Sequence, residues 1–230
     1  VYINGELAIE GFTKMERTDP FVVDPGELLV EVFPAGADPA ATDAVLSQAI
    51  ELADPGNFAM VAQLAGDGQP ILSLYWNDVT PIAMGQGRFV FRQTSAHEGV
   101  DVLVNGEAIA TAVASTEEIT VTLPAGTFEF SLVPSAGGDA LVEADVQLIE
   151  GELTAVYAIS TANADALDLA VQTVVGLQTA PTAIETGSAG LAADAGGAGG
   201  GDQAVVVRGL LLAALACAGV VALRRTRDRG

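Results

Sequence analysis

The 230 residues contain a single cysteine, a single histidine, a single lysine and a single tryptophan. A lone Cys217 closes no disulfide within the chain, so cysteine pairing says nothing about redox compartment. One imidazole and one thiol cannot build a His/Cys zinc site in one chain. Basic residues number nine against 30 acidic ones, for a net charge of −21. No glycine-rich loop follows a strand and opens a phosphate site, because the glycines near 196–201 lie in a low-complexity stretch. No D-x-D-x-D-G spacing occurs around Asp43, Asp139, Asp165 or Asp168, so no calcium loop is read and no cofactor is expected.

What is present begins with apolar residues. They make up 50% of the chain and charged residues only 17%, enough for a packed core. The charge is uneven. Residues 1–204 hold four basic residues (Lys14, Arg17, Arg88, Arg92) against 29 acidic ones, a net of −25. Such a body has no basic patch to release counterions from phosphates, which excludes a nucleic-acid partner. It suits solubility, cations or a salty medium.

The other basic residues gather at the C-terminus. Val205 to Leu223 is a 19-residue apolar stretch with one charge, Arg208, followed by Arg224, Arg225, Arg227 and Arg229. That length spans a bilayer core of about 30 Å as a helix. Arginines directly after a span predict a cytoplasmic C-terminus at 224–230 and an extracellular residue 1–204 region. Residues 177–204 read as a flexible Gly/Ala linker, since Gly, Ala and Ser offer nothing to a core. Thr186-Gly187, a spacer, an apolar stretch and an Arg cluster resemble the layout of a Gram-positive cell-wall sorting signal. Only Thr186 and Gly187 match its Leu-Pro-x-Thr-Gly pentapeptide, so a plain membrane anchor is the favoured expectation.

The chain also repeats itself. VYINGE at Val1–Glu6 returns as VLVNGE at Val102–Glu107, an offset of 101. Pro25-Gly26 through Pro34 returns at Ala125-Gly126 through Pro134, an offset of 100. Gly56 through Val61 is matched to Gly151 through Val156, and Ile71–Leu74 to Ala166–Leu169, both at 95. Period-two alternation, as in Phe128-Glu129-Phe130-Ser131-Leu132, marks strands, and Asn105-Gly106 marks a tight hairpin. The second copy predicts strands at 87–93, 100–105, 107–112, 117–123, 127–133, 140–148, 152–160 and 166–173. Short strands with frequent turns predict an all-β chain of two tandem immunoglobulin-like β-sandwich domains, 1–82 and 86–176. The strand at 87–93 has no counterpart before Val1, so about 15 residues of the first domain are expected upstream.

Three spaced elements carry a family resemblance. Arg88-Phe89-Val90-Phe91, then Val100 through Gly106, then Leu123-Pro124-Ala125-Gly126-Thr127-Phe128 leading into Val133-Pro134-Ser135 resemble the bacterial domain of unknown function 4397 family. The resemblance covers residues 87–175 well and 1–80 as a shortened copy. It implies a β-sandwich repeat of secreted and cell-surface proteins, with no established activity. The family's His-x-Ser-Pro-Asp-x-Pro loop is replaced here by Arg92 through Glu98.

Candidate contacts are few. His97 is the only imidazole base, with Ser95 and Asp101 nearby in sequence, and a surface-loop role outweighs a triad. Tyr75-Trp76 could stack on a sugar ring, against strand packing or an inter-domain contact as the plainer reading. The expectation is therefore a non-enzymatic bacterial surface protein. Its domains bind or space outside a single-pass anchor, with cell-wall, glycan or protein partners. A polysaccharide- or cell-wall-acting hydrolase and a purely structural stalk are the alternatives.

Overall fold

The computed structural model describes residues 1–52, 56–163, 166–178 and 208–213, the last by backbone pairing alone. Every described regular element is a strand. The first repeat contributes β1 (Tyr2–Ile3), β2 (Glu6–Leu7), β3 (Phe21–Val22), β4 (Gly26–Val32), β5 (Leu46–Leu52), β6 (Asn57–Leu64) and β7 (Pro70–Asn77). The second contributes β8 (Gln86–Gln93), β9 (Val100–Val104), β10 (Glu107–Val113), β11 (Glu118–Pro124), β12 (Gly126–Pro134), β13 (Val142–Leu148), β14 (Leu153–Ser160) and β15 (Leu167–Val174). The last strand, β16, is Arg208–Ala213. The all-β expectation holds over these residues.

Four four-stranded sheets result, two per repeat. Their orders are β2-β1-β4-β5 and β3-β16-β6-β7, then β10-β9-β12-β13 and β11-β8-β14-β15. The two lists match strand for strand, so the duplication extends to topology. In the second repeat, Phe89, Phe91 and Val156 from one sheet meet Val100, Val102, Phe130 and Leu132 from the other in one buried cluster. In the first repeat, Phe58, Met60 and Leu72 meet Leu28, Val30 and Ile50. Each repeat thus closes its own apolar layer between two sheets, as a sandwich must.

The repeated Asn-Gly has a structural cause. Asn4 and Gly5 have φ of 52° and 81°, and Asn105 and Gly106 of 50° and 77°. Two consecutive positive φ values are what a two-residue I′ hairpin turn requires. Each Asn also clamps the neighbouring strand from both sides. Asn4 N donates to Leu29 O at 2.8 Å and Asn105 N to Glu129 O at 2.7 Å. Leu29 N donates to Asn4 Oδ1 at 2.8 Å, and Glu129 N to Asn105 Oδ1 at 3.0 Å. The turn therefore fixes a third strand as well as its own pair.

The offset for β6 needs correction, whereas that of 95 for β7 keeps Leu72 and Leu167 each on its own core and Tyr75 and Ala170 both in the layer between repeats. A shift of 95 would place Phe58 on Leu153, yet Phe58 faces its own sandwich core and Leu153 faces away from its own. A shift of 96 places Met60 on Val156 and Ala62 on Ala158, each facing its own core. Side chains alternate along a strand, so an error of one residue exchanges the faces.

A third apolar layer joins the repeats. Ala59, Val61 and Tyr75 from the first and Val90, Leu153, Ala155, Tyr157 and Ile159 from the second form a single buried cluster. This explains why β6 and β14 are buried along both faces while β11 alternates. Between the repeats, Ile82 N donates to Leu177 O at 2.6 Å, tying the connection to the end of the second repeat. Arg88 bonds the carbonyls of Asp78 and Thr80 and the Asp78 carboxylate, the last at 3.2 Å.

The apolar stretch 205–223, expected to be helical, contributes Arg208–Ala213 as a strand. A continuous apolar run carries no periodicity that separates a buried strand from a helix, and β6 offers it a ladder partner. The remainder of that stretch lies outside the described residues, as do the sorting-site candidates Thr186 and Gly187 and residues 179–204. No helix among the described residues is long and apolar enough to cross a membrane.

Candidate functional site

A cleft of about 600 Å³ lies at one end of the second sandwich. Two connections shape it, one leaving β8 and one leaving β14. His97 and Glu98 come from the first, Thr161 and Asn163 from the second, and Leu64 at the end of β6 closes one side. Its apolar wall is Ala96, Ala162, Ala166 and Leu167. Residues from both repeats thus line one depression.

Local hydrogen bonds hold both connections in place. Thr94 Oγ1 donates to Ala158 O, and Ala96 N donates to Ser160 Oγ at 2.9 Å. Those two bonds fasten the β8 connection to β14. Thr161 Oγ1 sits 2.9 Å from Ala166 O and accepts from Asn163 N at 3.0 Å, closing the other loop on itself. His97 is half-buried, and its Nδ1 is shielded from solvent without a hydrogen-bond partner in the structure.

The structure keeps His97, Ser95 and Asp101 apart in role. Ser95 is fully buried, and its hydroxyl donates to Gln93 Oε1 at 3.1 Å rather than to an imidazole. It accepts from His97 N at 3.3 Å, a backbone contact. Asp101 accepts from Ser135 Oγ at 2.6 Å and Ala112 N at 2.8 Å. The Ser135 hydroxyl, then the Ala112 amide, hold the Asp101 carboxyl below its usual range. These partners staple β9 to its neighbours and leave no relay through His97.

Tyr75 and Trp76 do not form one platform. Neighbouring residues on a strand point to opposite faces. Tyr75 is buried between the repeats, its hydroxyl donating to Gln63 Oε1 at 3.4 Å. Burial pushes its phenol up to about 12. Trp76 faces the other way, 42% exposed, with its ring edge-on to Phe58 at 5.5 Å. A Cβ on Gly56 would lie 2.6 Å from the indole, so any larger residue there would push the ring aside. Of the two aromatics, only Trp76 is open to a ligand, and it stands alone.

One residue that sequence reasoning passed over dominates the junction. Arg92 is fully buried. It donates to Glu118 Oε2 at 2.9 Å, to Asn77 Oδ1 at 2.7 Å and to the Tyr157 hydroxyl. Its guanidinium lies 4.9 Å from the centre of the Tyr75 ring and 5.3 Å from that of Tyr157. Tyr157 donates onward to Gln172 Oε1. Asn77 and Tyr75 belong to the first repeat, so this planar cation bonds across the junction. The available signal was a charge at each end of an otherwise apolar strand, Arg88-Phe89-Val90-Phe91-Arg92.

A scan against models of known protein families finds no match for this chain, and a search of curated proteins finds none either.

Proposed function

We propose that the chain is a non-enzymatic bacterial envelope protein that presents a rigid pair of β-sandwich repeats outside a C-terminal membrane anchor. On this reading the repeats are of the domain of unknown function 4397 type, and the cleft at His97 is their recognition site. The observation that carries it is the cleft itself, built from fixed connections of the second repeat and Leu64 of the first. Its alanine and leucine wall, with hydroxyl, amide and imidazole groups and the Glu98 carboxylate at the edge, suits a partly apolar, non-anionic group such as a sugar or peptide of the envelope. The acidic body adds no attraction for polyanions. The anchor rests on the 19-residue apolar stretch and its four following arginines.

A hydrolase reading draws less support. Glu98 is the one carboxylate among the cleft's described lining residues, and paired carboxylates are what glycoside hydrolysis requires. Asp78 and Asp101 are both held below the usual range, the opposite of a general acid.

Binding to purified cell walls, a glycan panel and calcium, at low and high salt, tests the proposal. Saturable binding that weakens about tenfold in His97→Ala and Thr161→Val is the expected result. Unchanged binding in both variants would move the site elsewhere. No binding to any of these, by a folded chain, would leave a spacer.

A further inference from the structure

The cleft at His97 carries charge of one sign. Glu98 is the only acidic side chain among its described lining residues, and none of Lys14, Arg17, Arg88 and Arg92 lines it. The three arginines are committed elsewhere. Arg88 and Arg92 are buried on partners of their own, and Arg17 bonds the Val171 carbonyl. The Glu98 carboxylate is exposed and has no hydrogen bond or ion pair among the described residues. Around it stand Leu64, Ala96, Ala162, Ala166 and Leu167. Apolar walls screen poorly, so the field of a carboxylate reaches further between them than on an open surface. The body formed by residues 1–204, with four basic residues against 29 acidic ones, adds to the same sign.

That combination selects among cations. A calcium ion takes about six to eight oxygen ligands. Here one carboxylate is open, while the Ser160 and Thr161 hydroxyls already accept from Ala96 N and Asn163 N. A quaternary ammonium is held by a cage of aromatic faces. No phenylalanine, tyrosine or tryptophan is among the described lining residues. An amine or guanidinium at the end of an aliphatic stem fits both parts of the cleft. The stem lies along the alanine and leucine wall, and the head donates to Glu98.

We infer that the group this cleft selects is a cationic aliphatic side chain, of the kind that lysine and arginine carry on a peptide. The inference rests on the recognition site proposed above and narrows it to one ligand class.

Titration of the full chain, in a non-ionic detergent, with the Nα-acetyl methylamides of lysine, arginine and norleucine tests it. Norleucine offers an aliphatic stem without the charge. Amide resonances of residues 96–98 and 160–163 follow the binding. The two cations should bind about fivefold tighter than the norleucine amide, and the tighter of the two names the side chain. Glu98→Gln should remove that difference, and Glu150→Gln should keep it. Glu150 is exposed at the opposite end of the sandwich, where Gly151 N donates to Gln86 O at the start of β8. Equal affinity for all three amides would overturn the inference. So would an equal loss in Glu98→Gln and Glu150→Gln, which would assign the attraction to the charge of the whole body. Cell-wall binding that falls in His97→Ala but is unchanged in Glu98→Gln would overturn the cationic class and leave the recognition site standing. Silent resonances with every amide, together with no binding to cell walls or glycans, would remove the site itself.

Discussion

Tyr75 shows how one side chain can report on the junction. Its phenol ordinarily titrates near 10, and burial pushes it up to about 12 in the fold. Below pH 10 the phenol is neutral folded or unfolded, and its contribution is whole. Above pH 10 the unfolded phenol ionises while the folded one holds its proton. Stability is therefore lost as pH rises from 10 toward 12, by about 2 kcal/mol for this residue. Burial also raises Tyr157, which acts in the same direction. Urea denaturation at pH 9 and pH 11.5, with tyrosinate absorbance in parallel, should show this fall, and Tyr75→Phe should reduce it without abolishing it. A Tyr75→Phe chain with an undiminished fall would mean that Tyr75 is not buried as described.

At the scale of the element, the repeated Asn-Gly turn is the feature with the clearest cause. Asn105 supplies a positive φ and a side-chain acceptor for Glu129 N. Asn105→Gly keeps the first and loses the second. Asn105→Ala loses both. Thermal melts should therefore rank Asn105 above Gly above Ala, with Ala about 2 kcal/mol below the parent. Equal losses for the two variants would show that the backbone angle contributes nothing. The eight strands of the second repeat were legible in the sequence because turns and alternation both mark them. The strands at 100–104 and 118–124 fall within a residue of their expected limits. The offset for β6 was misjudged by one because its residues are apolar on both faces, and no alternation fixes the phase.

For the whole molecule, the layer between the repeats matters most. A shared apolar cluster and a fully buried Arg92 make the two sandwiches one body. Urea denaturation followed by Trp76 fluorescence, which reports the first repeat, and by far-ultraviolet dichroism should give one coincident transition. Arg92→Lys should lower its midpoint by the equivalent of about 2 kcal/mol. A single ammonium cannot reach Glu118, Asn77 and Tyr157 together. Two separated transitions in the parent chain would show that the junction is not a structural unit.

The sequence by itself determined the duplication, the all-β class and the turns, since each rests on local spacing and backbone preference. It also marked Val205–Leu223 as an apolar stretch long enough to span a bilayer as a helix. Tertiary structure decided which faces are covered. Tyr75 and Trp76 are neighbours in sequence and opposed in space, because a strand sends successive side chains to opposite sides. Arg92 and Asn77, 15 residues apart, meet because two sheets stack face to face. His97 gains a cleft because Leu64 of the other repeat stands beside its loop. Burial depends on what the rest of the chain brings to a surface, and no local pattern carries that information.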